Sequence, residues 1–374
     1  MKILVDLEEV KLNRLNSSIP LYIFRFLDTI PKCEYKNIYL LISEDIKEFV
    51  NDRYPYFRTI ELKRRGLKIR GIKTLGMLYT QYKINKIIKD YRIDIFFVPS
   101  DIQLYTSFKV CCRKVIVIHD LKALKLIDSS RTARKLSSVY NLYNDSILYS
   151  DVVIAISNYT KEDIQRFFPD TSKDKVKVIY NSIVLPYISI KPDNFNTSQF
   201  ILYVNALQPY KNVFTLVQAF NNIKDKYEYD LVIVGRPTSY WEEVVVPYIK
   251  NSNIENRVIH LYDLSDENIK YLYENAILFI TTSLHEGFGY TPIEAAALNC
   301  PVISSVEESL PDTTQGLLNY YLNTKDPESL TIKIEEVLND LPNKDELQKI
   351  SNKILEIYSP HLYIKNLYDV FRAN

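Results

Sequence analysis

Glycine is scarce in this chain, with seven in 374 residues. It is costly to order, so a chain this poor in it keeps glycine where a side chain does not fit. No GxGxxG follows any strand-like run, which argues against a dinucleotide oxidoreductase. The four cysteines, Cys33, Cys111, Cys112 and Cys300, show no CxxC spacing. They read as buried free thiols, with the vicinal pair in a strand. The four histidines, His119, His260, His285 and His361, include no HxxxH pair, and no metal site is visible. The longest apolar runs, such as IDIFFVP and VVIAIS, fall far short of the roughly 18 residues a membrane-spanning helix needs. The N-terminal MKILVDLEEV reads as a strand and lacks the apolar core of a secretory signal. A cytoplasmic location is the expectation.

What is present is ordinary in amount and uneven in placement. Hydrophobic residues make up 47% and charged residues 25%, the balance of a soluble globular enzyme. The length exceeds what one core usually supports and predicts about two domains. The net charge of +1 conceals a split: residues 1 to 190 hold 32 Lys and Arg against 21 Asp and Glu, and residues 191 to 374 hold 15 against 25. A basic half joined to an acidic one suggests that one part meets an anionic surface and the other does not.

Both halves alternate short apolar runs with longer amphipathic ones, the pattern of parallel strands joined by crossover helices. The strand candidates are KILVDL, NIYLLIS, IDIFFVP, KVIVIHD, DVVIAIS and KVKVIYN, then QFILYVNA, YDLVIVG, NRVIHLYD, AILFITTS and CPVISS. Helices are expected at 73 to 90, 160 to 167, 211 to 224, 266 to 275 and 292 to 299. Two doubly wound, Rossmann-like α/β domains follow, with the boundary in LPYISIKPDNFNTSQ, residues 185 to 199. A last helical stretch is interrupted at Ser359-Pro360, where the tail is expected to turn.

Two of the seven glycines, Gly287 and Gly289, stand together in HEGFGYTPIEAAALNCPVISS, residues 285 to 305. A strand, a glycine loop and a helix start in succession there, with Thr291 expected as N-cap and Pro292 at the first helical position. Free amides and the positive end of the helix dipole make such a corner an anion site. The glycines would let phosphate oxygens approach. Glu286 and Glu294 cannot be phosphate ligands, since like charges repel. They suit hydroxyl groups on either side of a diphosphate. Equally, Thr291 and Glu294 have the T-x-x-E spacing of a capping box, and Glu286 reads as a solvated loop charge; on the residues alone these alternatives stay open.

Residues 278 to 305 resemble the signature segment of the retaining glycosyltransferases of family 4, two glutamates separated by seven residues around a GFG core. KVIVIHD, SNYTKEDI, KVIYNSI, LYVNALQPYKNVFTLVQAF, DLVIVG, HLYDLSDENIKYLYENA and YSPHLYIKNLYDVF fall in that family's order. The resemblance implies the GT-B fold: an acceptor-binding domain over residues 1–185, a nucleotide-sugar domain over 199–357, and a helix over 358–374 that crosses back to the first domain. It implies that Glu286 holds hydroxyls of the transferred sugar and Glu294 the nucleotide ribose. The backbone of Gly287, Phe288, Gly289, Tyr290 and Thr291 would hold the diphosphate, and Lys211 would neutralise the leaving group. Gly235 and Leu264 would lie near the base, and His119 would contact the sugar near its reacting carbon. The donor would be a nucleoside diphosphate sugar and the acceptor a glycan, lipid-linked, in surface polysaccharide assembly. The chain has no DxD, the motif that holds a metal in the other major transferase fold, so metal-independent transfer without a cofactor is expected.

The chain departs from the family at several places. In the loop expected after the first strand, NSSIPLY has Ser18, Pro20 and Leu21 in place of two glycines and an arginine; Asn205 and Tyr262 replace glycines, and Tyr210 stands where an arginine often precedes the lysine. These departures, with Ala206, motivate a second reading as a catalytically weak relative that binds nucleotide sugar or serves as a partner subunit. Six basic residues and no acidic one lie between positions 63 and 73, beside Leu67, Ile69, Leu75 and Leu78. Peripheral contact with an anionic membrane through residues 63–90 is one expectation, an ordinary solvated loop and helix the other. Nucleic acid fits less well, because no aromatic and basic platform accompanies the charge.

Overall fold

The computed structural model describes residues 1–15, 18–62, 73–100, 104–127 and 133–373. The chain divides into two compact units, Met1–Ser182 with Pro360–Asn374, and Ile183–Ser359. Each is built on one parallel sheet, and the architecture is that of the GT-B fold.

The first unit contains β1 (Ile3–Asp6), β2 (Ile38–Ile42), β3 (Arg58–Glu61), β4 (Ile95–Val98), β5 (Arg113–Ile118), β6 (Val152–Ala155) and β7 (Val176–Val178). They lie side by side in the order β3-β2-β1-β4-β5-β6-β7, and every pairing is parallel. Strands covered by helices on both faces must be apolar along their whole length. β1, β2, β4 and β6 are accordingly buried throughout, whereas the edge strand β3 carries RTIE and is half exposed. The C-terminal helix Pro360–Arg372 packs within this unit: Phe371 lies 5.1 Å from Phe97 of β4, Tyr363 lies 5.9 Å from Tyr22, and Arg113 donates to the Val370 carbonyl at 3.1 Å.

The second unit contains β8 (Phe200–Val204), β9 (Asp230–Val234), β10 (Val258–Leu261), β11 (Leu278–Thr281), β12 (Val302–Ser305) and β13 (Asn319–Tyr321), in the order β10-β9-β8-β11-β12-β13. The chain enters at Ile183 and leaves at Ser359, and the Ile183 amide donates to the Tyr358 carbonyl at 3.0 Å. The connecting segment is docked on the helix Asp266–Asn275, with Lys270 donating to the Pro186 carbonyl at 2.9 Å and Asn268 to Ile190 at 2.9 Å.

Three expectations need correction. Cys33 and Cys111 are exposed, because Cys33 sits in a surface turn and the vicinal pair precedes β5 and is not part of it; Cys300 is buried, and burial pushes its thiol up to about 12. The stretch NSSIPLY was expected as a loop, yet Ser18 opens the helix Ser18–Thr29, with Pro20 in its first turn where no amide is missed; residues 16–17 lie outside the described residues. Thr291 is not an N-cap, for the reason given below. Residues 63–72 also lie outside the described residues, and with them most of the basic segment. Among the described residues no helix is long and apolar enough to cross a membrane.

Candidate active site

In the second sheet β8 lies between β9 and β11, so the connections leaving β8 and β11 diverge at their C-terminal ends. Open parallel sheets hold ligands at such a switch point. The two loops that leave it are residues 205–212 and 282–289.

The first loop ends in a short turn, Pro209–Lys211, followed by Asn212 in the left-handed region at φ 56°. Asn212 tolerates that conformation because its side chain is anchored, donating to the Thr324 carbonyl at 2.8 Å and accepting from Thr215 at 2.9 Å. The Lys211 carbonyl accepts from the Tyr203 phenol at 3.1 Å and from Thr282 at 3.0 Å. Burial first, then the charge of Glu286, holds the Tyr203 phenol well above its ordinary range, so it remains a donor. Leu284 donates to the Tyr210 carbonyl at 2.9 Å and ties the second loop to the first. Lys211 is thereby fixed at its backbone and is only 8% exposed.

Its ammonium donates to Glu286 Oε1 and lies 5.3 Å from the centre of the Tyr210 ring. The same oxygen accepts from Ser283 at 2.9 Å and from Asn205 Nδ2 at 3.4 Å. No donor among the described residues reaches Oε2. One oxygen of the carboxylate is thus held from several sides, and the other can accept from a hydroxyl. Taking both charges out of water is expensive, and the attraction between them offsets this only with good hydrogen bonds. Such a pair is weak evidence for a stabilising device.

The second loop leads into the helix Tyr290–Ala297, whose N-cap is Gly289 at φ 80°. A side chain there would be strained, and an added Cβ would lie 2.5 Å from Leu310 Cδ2. The chain's own backbone and Leu310 therefore account for this glycine before any ligand is invoked. Because the helix begins at Tyr290, Thr291 is its second residue and Glu294 its fifth. The capping-box alternative fails, since Glu294 is too far along to reach back to the cap. Phe288 is buried, with ring centroids 4.9 Å from Tyr290 and 5.5 Å from Tyr358, so only its main chain can face a ligand. Gly287 is half-buried in the loop.

Gly235 follows β9, and an added Cβ would lie 2.2 Å from the Asn205 carbonyl oxygen. Its amide donates to Leu261 at 2.9 Å and its carbonyl accepts from His260 Nε2 at 2.8 Å. Leu264 lies between β10 and the helix Asp266–Asn275, at the same end of the sheet. A row of rings runs beside them, Trp241 at 4.6 Å from His260 and His260 at 5.6 Å from Tyr262, which is about half exposed.

His119 belongs to the first unit, where it follows β5. Its Nε2 lies 2.8 Å from the Pro99 carbonyl oxygen. A carbonyl only accepts, so Nε2 carries the proton. Tyr22 meets the imidazole edge-on at 4.9 Å. Asp120 accepts from the Lys122 amide at 2.9 Å.

Lys211 and Glu286 are thus brought into contact, and the helix start at Tyr290 follows directly. Sequence reasoning missed Ser283, Glu308 and Ser309, and it flagged Asn205 only as a departure. Their link to Glu286 spans 22 to 81 positions for Glu308 and Asn205, which local pattern does not reveal.

Residues 188–354 match the family model described as glycosyl transferases group 1, and residues 47–185 match the model of glycosyltransferase family 4. The chain is 28% identical over 248 residues to the O-antigen chain mannosyltransferase RfbU of Salmonella typhimurium, a match covering 64% of each chain. It is 23% identical over 326 residues to the O-antigen chain mannosyltransferase B of Escherichia coli, covering 84% of this chain and 80% of that one. The match to RfbU therefore spans somewhat under two thirds of that relative's length. Among solved structures, Anabaena HepE in complex with UDP and glucose superposes with a TM-score of 0.73 at 17% identity, covering 99% of both chains.

Proposed function

Because the chain belongs to the family 4 glycosyltransferases, with the group 1 domain in its second half, we propose that it moves a hexose from a nucleoside diphosphate sugar to a glycan acceptor in surface polysaccharide assembly. The finer reading is a retaining, metal-independent transfer to a lipid-linked acceptor. The observation that carries it is the mostly buried Lys211–Glu286 pair at the switch point, one loop from the N-terminus of the helix Tyr290–Ala297.

Breaking the bond between the anomeric carbon and the diphosphate oxygen leaves the electron pair on the phosphate and positive charge on the sugar. A fixed cation and aligned amides aimed at that phosphate lower the barrier. Lys211, exchanging its carboxylate partner for the diphosphate, supplies the cation, and the main chain of Gly287 to Thr291 supplies amides. Glu286 Oε2 accepts from a sugar hydroxyl and Glu294 from the ribose. The acceptor oxygen forms its bond to the anomeric carbon on the face the phosphate leaves, and its proton passes to that phosphate. Configuration is retained without an enzyme nucleophile. For His119, in the first unit, the proposed contact with the sugar rests on the family resemblance, as does the place of Gly235 and Leu264 near the base.

The names of the relatives support mannose as one donor sugar to test, and the HepE complex supports glucose. Purified protein incubated with UDP-glucose and GDP-mannose, with and without EDTA, tests the reading. Release of nucleoside diphosphate that survives EDTA and disappears in Glu286→Ala is expected, with the product's anomeric configuration read by NMR. Nucleotide binding without turnover would favour the weak relative. An inverted product would remove the retaining mechanism.

The anionic-membrane reading has one observation among the described residues: the helix Lys73–Tyr91 exposes Leu78, Tyr79 and Tyr82 near Lys86 and Lys89. Co-sedimentation with phosphatidylglycerol vesicles, lost on replacing the basic residues between 63 and 73 by glutamine, is the expected result.

A further inference from the structure

The segment that follows β12 grips the glutamate loop at four places. The Glu308 carboxylate accepts from the Glu286 amide through Oε2 at 2.9 Å, and its Oε1 lies 3.1 Å from His285 Nδ1. Ser309 donates to the Glu286 carbonyl at 2.7 Å. Leu310 closes over Gly289, and Thr313 donates to the Phe288 carbonyl at 2.6 Å. One residue earlier, Glu307 accepts from Thr324, whose carbonyl accepts from Asn212, the neighbour of Lys211. The segment therefore reaches both loops of the switch point.

Glu308 stands out in this segment because its backbone is in the left-handed region at φ 50°. A residue with a side chain holds that conformation at a cost and persists there when its surroundings over-determine it. Glycine would serve the turn better if the turn were all that mattered. The carboxylate side chain, mostly buried at 13% exposure, is the reason for a glutamate.

We propose that Glu308 is a positioning residue for the transfer reaction, a carboxylate that spans His285 and the Glu286 main chain and so aims the Glu286 side chain at the sugar and at Lys211. The proposal rests on the glycosyltransferase reading above. By accepting from His285 Nδ1–H, Glu308 also fixes a proton on that ring nitrogen and with it the orientation of the imidazole. With both anchors in place, the loop cannot rotate Glu286 away when Lys211 leaves it for the diphosphate. Displacement of a reacting group by about 1 Å costs up to about 100-fold in rate.

Glu308→Gly is the informative variant, because it relieves the backbone while deleting the brace. Transfer or donor hydrolysis from whichever of UDP-glucose and GDP-mannose the wild type turns over is measured beside the melting temperature. The expected result is a fall in kcat of about 10- to 100-fold, by the same misplacement argument, with the melting temperature unchanged or raised and the donor KM altered less. Glu308→Gln, which keeps an acceptor for the Glu286 amide, is expected to recover most of the lost kcat. A kcat for Glu308→Gly within about threefold of wild type, well below the loss that misplacement predicts, overturns the proposal. So does a loss of kcat accompanied by a lower melting temperature that Glu308→Gln fails to relieve. If the wild type turns over neither sugar nucleotide yet binds the diphosphates, it is the transfer reading that fails; the positioning role falls with it, whatever the melting temperatures show.

Discussion

Among the described residues each unit buries one lysine, and the two are buried for opposite ends. Lys114, on β5 of the first sheet, is fully buried, and its ammonium donates to the carbonyls of Thr106 and, at 3.0 Å, Phe108. Burial pulls it down to about 8, against a smaller upward pull from Asp151. Lys211, at the C-terminal end of the second sheet, faces a carboxylate instead. Carbonyls are fixed partners that complete a local hydrogen-bond set and leave nothing to exchange. A carboxylate partner can be traded for another anion, which is what a diphosphate is. The comparison teaches that burial of a charged group marks a site only when the partner is replaceable and the location is open to ligand.

The sharpest way to break this comparison is to remove Lys211. Lys211→Ala is expected to lower kcat/KM by about 1000-fold, the loss typical of one transition-state donor. It should also lower the melting temperature, because Glu286 keeps its charge without its cation. Lys211→Met with Glu286→Gln should restore the melting temperature and not the activity; recovery of activity in the double variant would show that the pair is structural, like Lys114.

The next largest effect belongs to Lys114 and is one of pH. Its folded value of about 8 lies below that of an unfolded lysine, so the unfolded chain binds more protons between the two. Stability is therefore lowest below pH 8 and rises as pH climbs towards the ordinary lysine range, by roughly 3 kcal/mol if other groups contribute nothing. Urea titrations at pH 7.5 and pH 10 should show the gain in wild type, and Lys114→Met should flatten it. A gain equal in both proteins would assign the slope to other groups.

His119→Ala should reduce kcat by about 100-fold while leaving nucleoside diphosphate affinity near wild type, an effect of the size seen for general acid-base or polar contacts to reacting atoms. An equal loss of nucleotide affinity would contradict its assignment to the sugar. Smallest of the four is Gly289→Ala, expected to destabilise by about 2 kcal/mol through its positive φ and the contact with Leu310. Adding Leu310→Ala should relieve the contact and leave the backbone strain, so calorimetry should show only partial recovery.

Much of the scaffold was legible because parallel strands buried on both faces must be continuous apolar runs, as IYLLI and LVIV show. The two strands that pattern reading missed, β3 with RTIE and β13 with NYY, lie at sheet edges and carry polar residues. The helix Ser18–Thr29 was hidden by a proline that a first turn accepts. In the candidate site, the GFG stretch and LYVNALQPYKNVFTLVQAF were both singled out through the family resemblance, and their contact through Glu286 and Lys211 joins positions 75 apart. The helix start was misplaced by two residues because a T-x-x-E spacing mimics a cap, whereas the true cap is a glycine that only its dihedral angle reveals. Ser283 and Asn205 reach Glu286 with side chains that any loop could carry.

The near-touch of Gly235 on the Asn205 carbonyl has an evolutionary side. Where β8 and β9 end, main chain packs directly on main chain, which every sequence possesses and no ordinary substitution alters. If the base binds there as proposed, side chains around it, such as Tyr262, are at liberty to drift and so to exchange one nucleobase preference for another over descent, provided that position 235 never acquires so much as a methyl group.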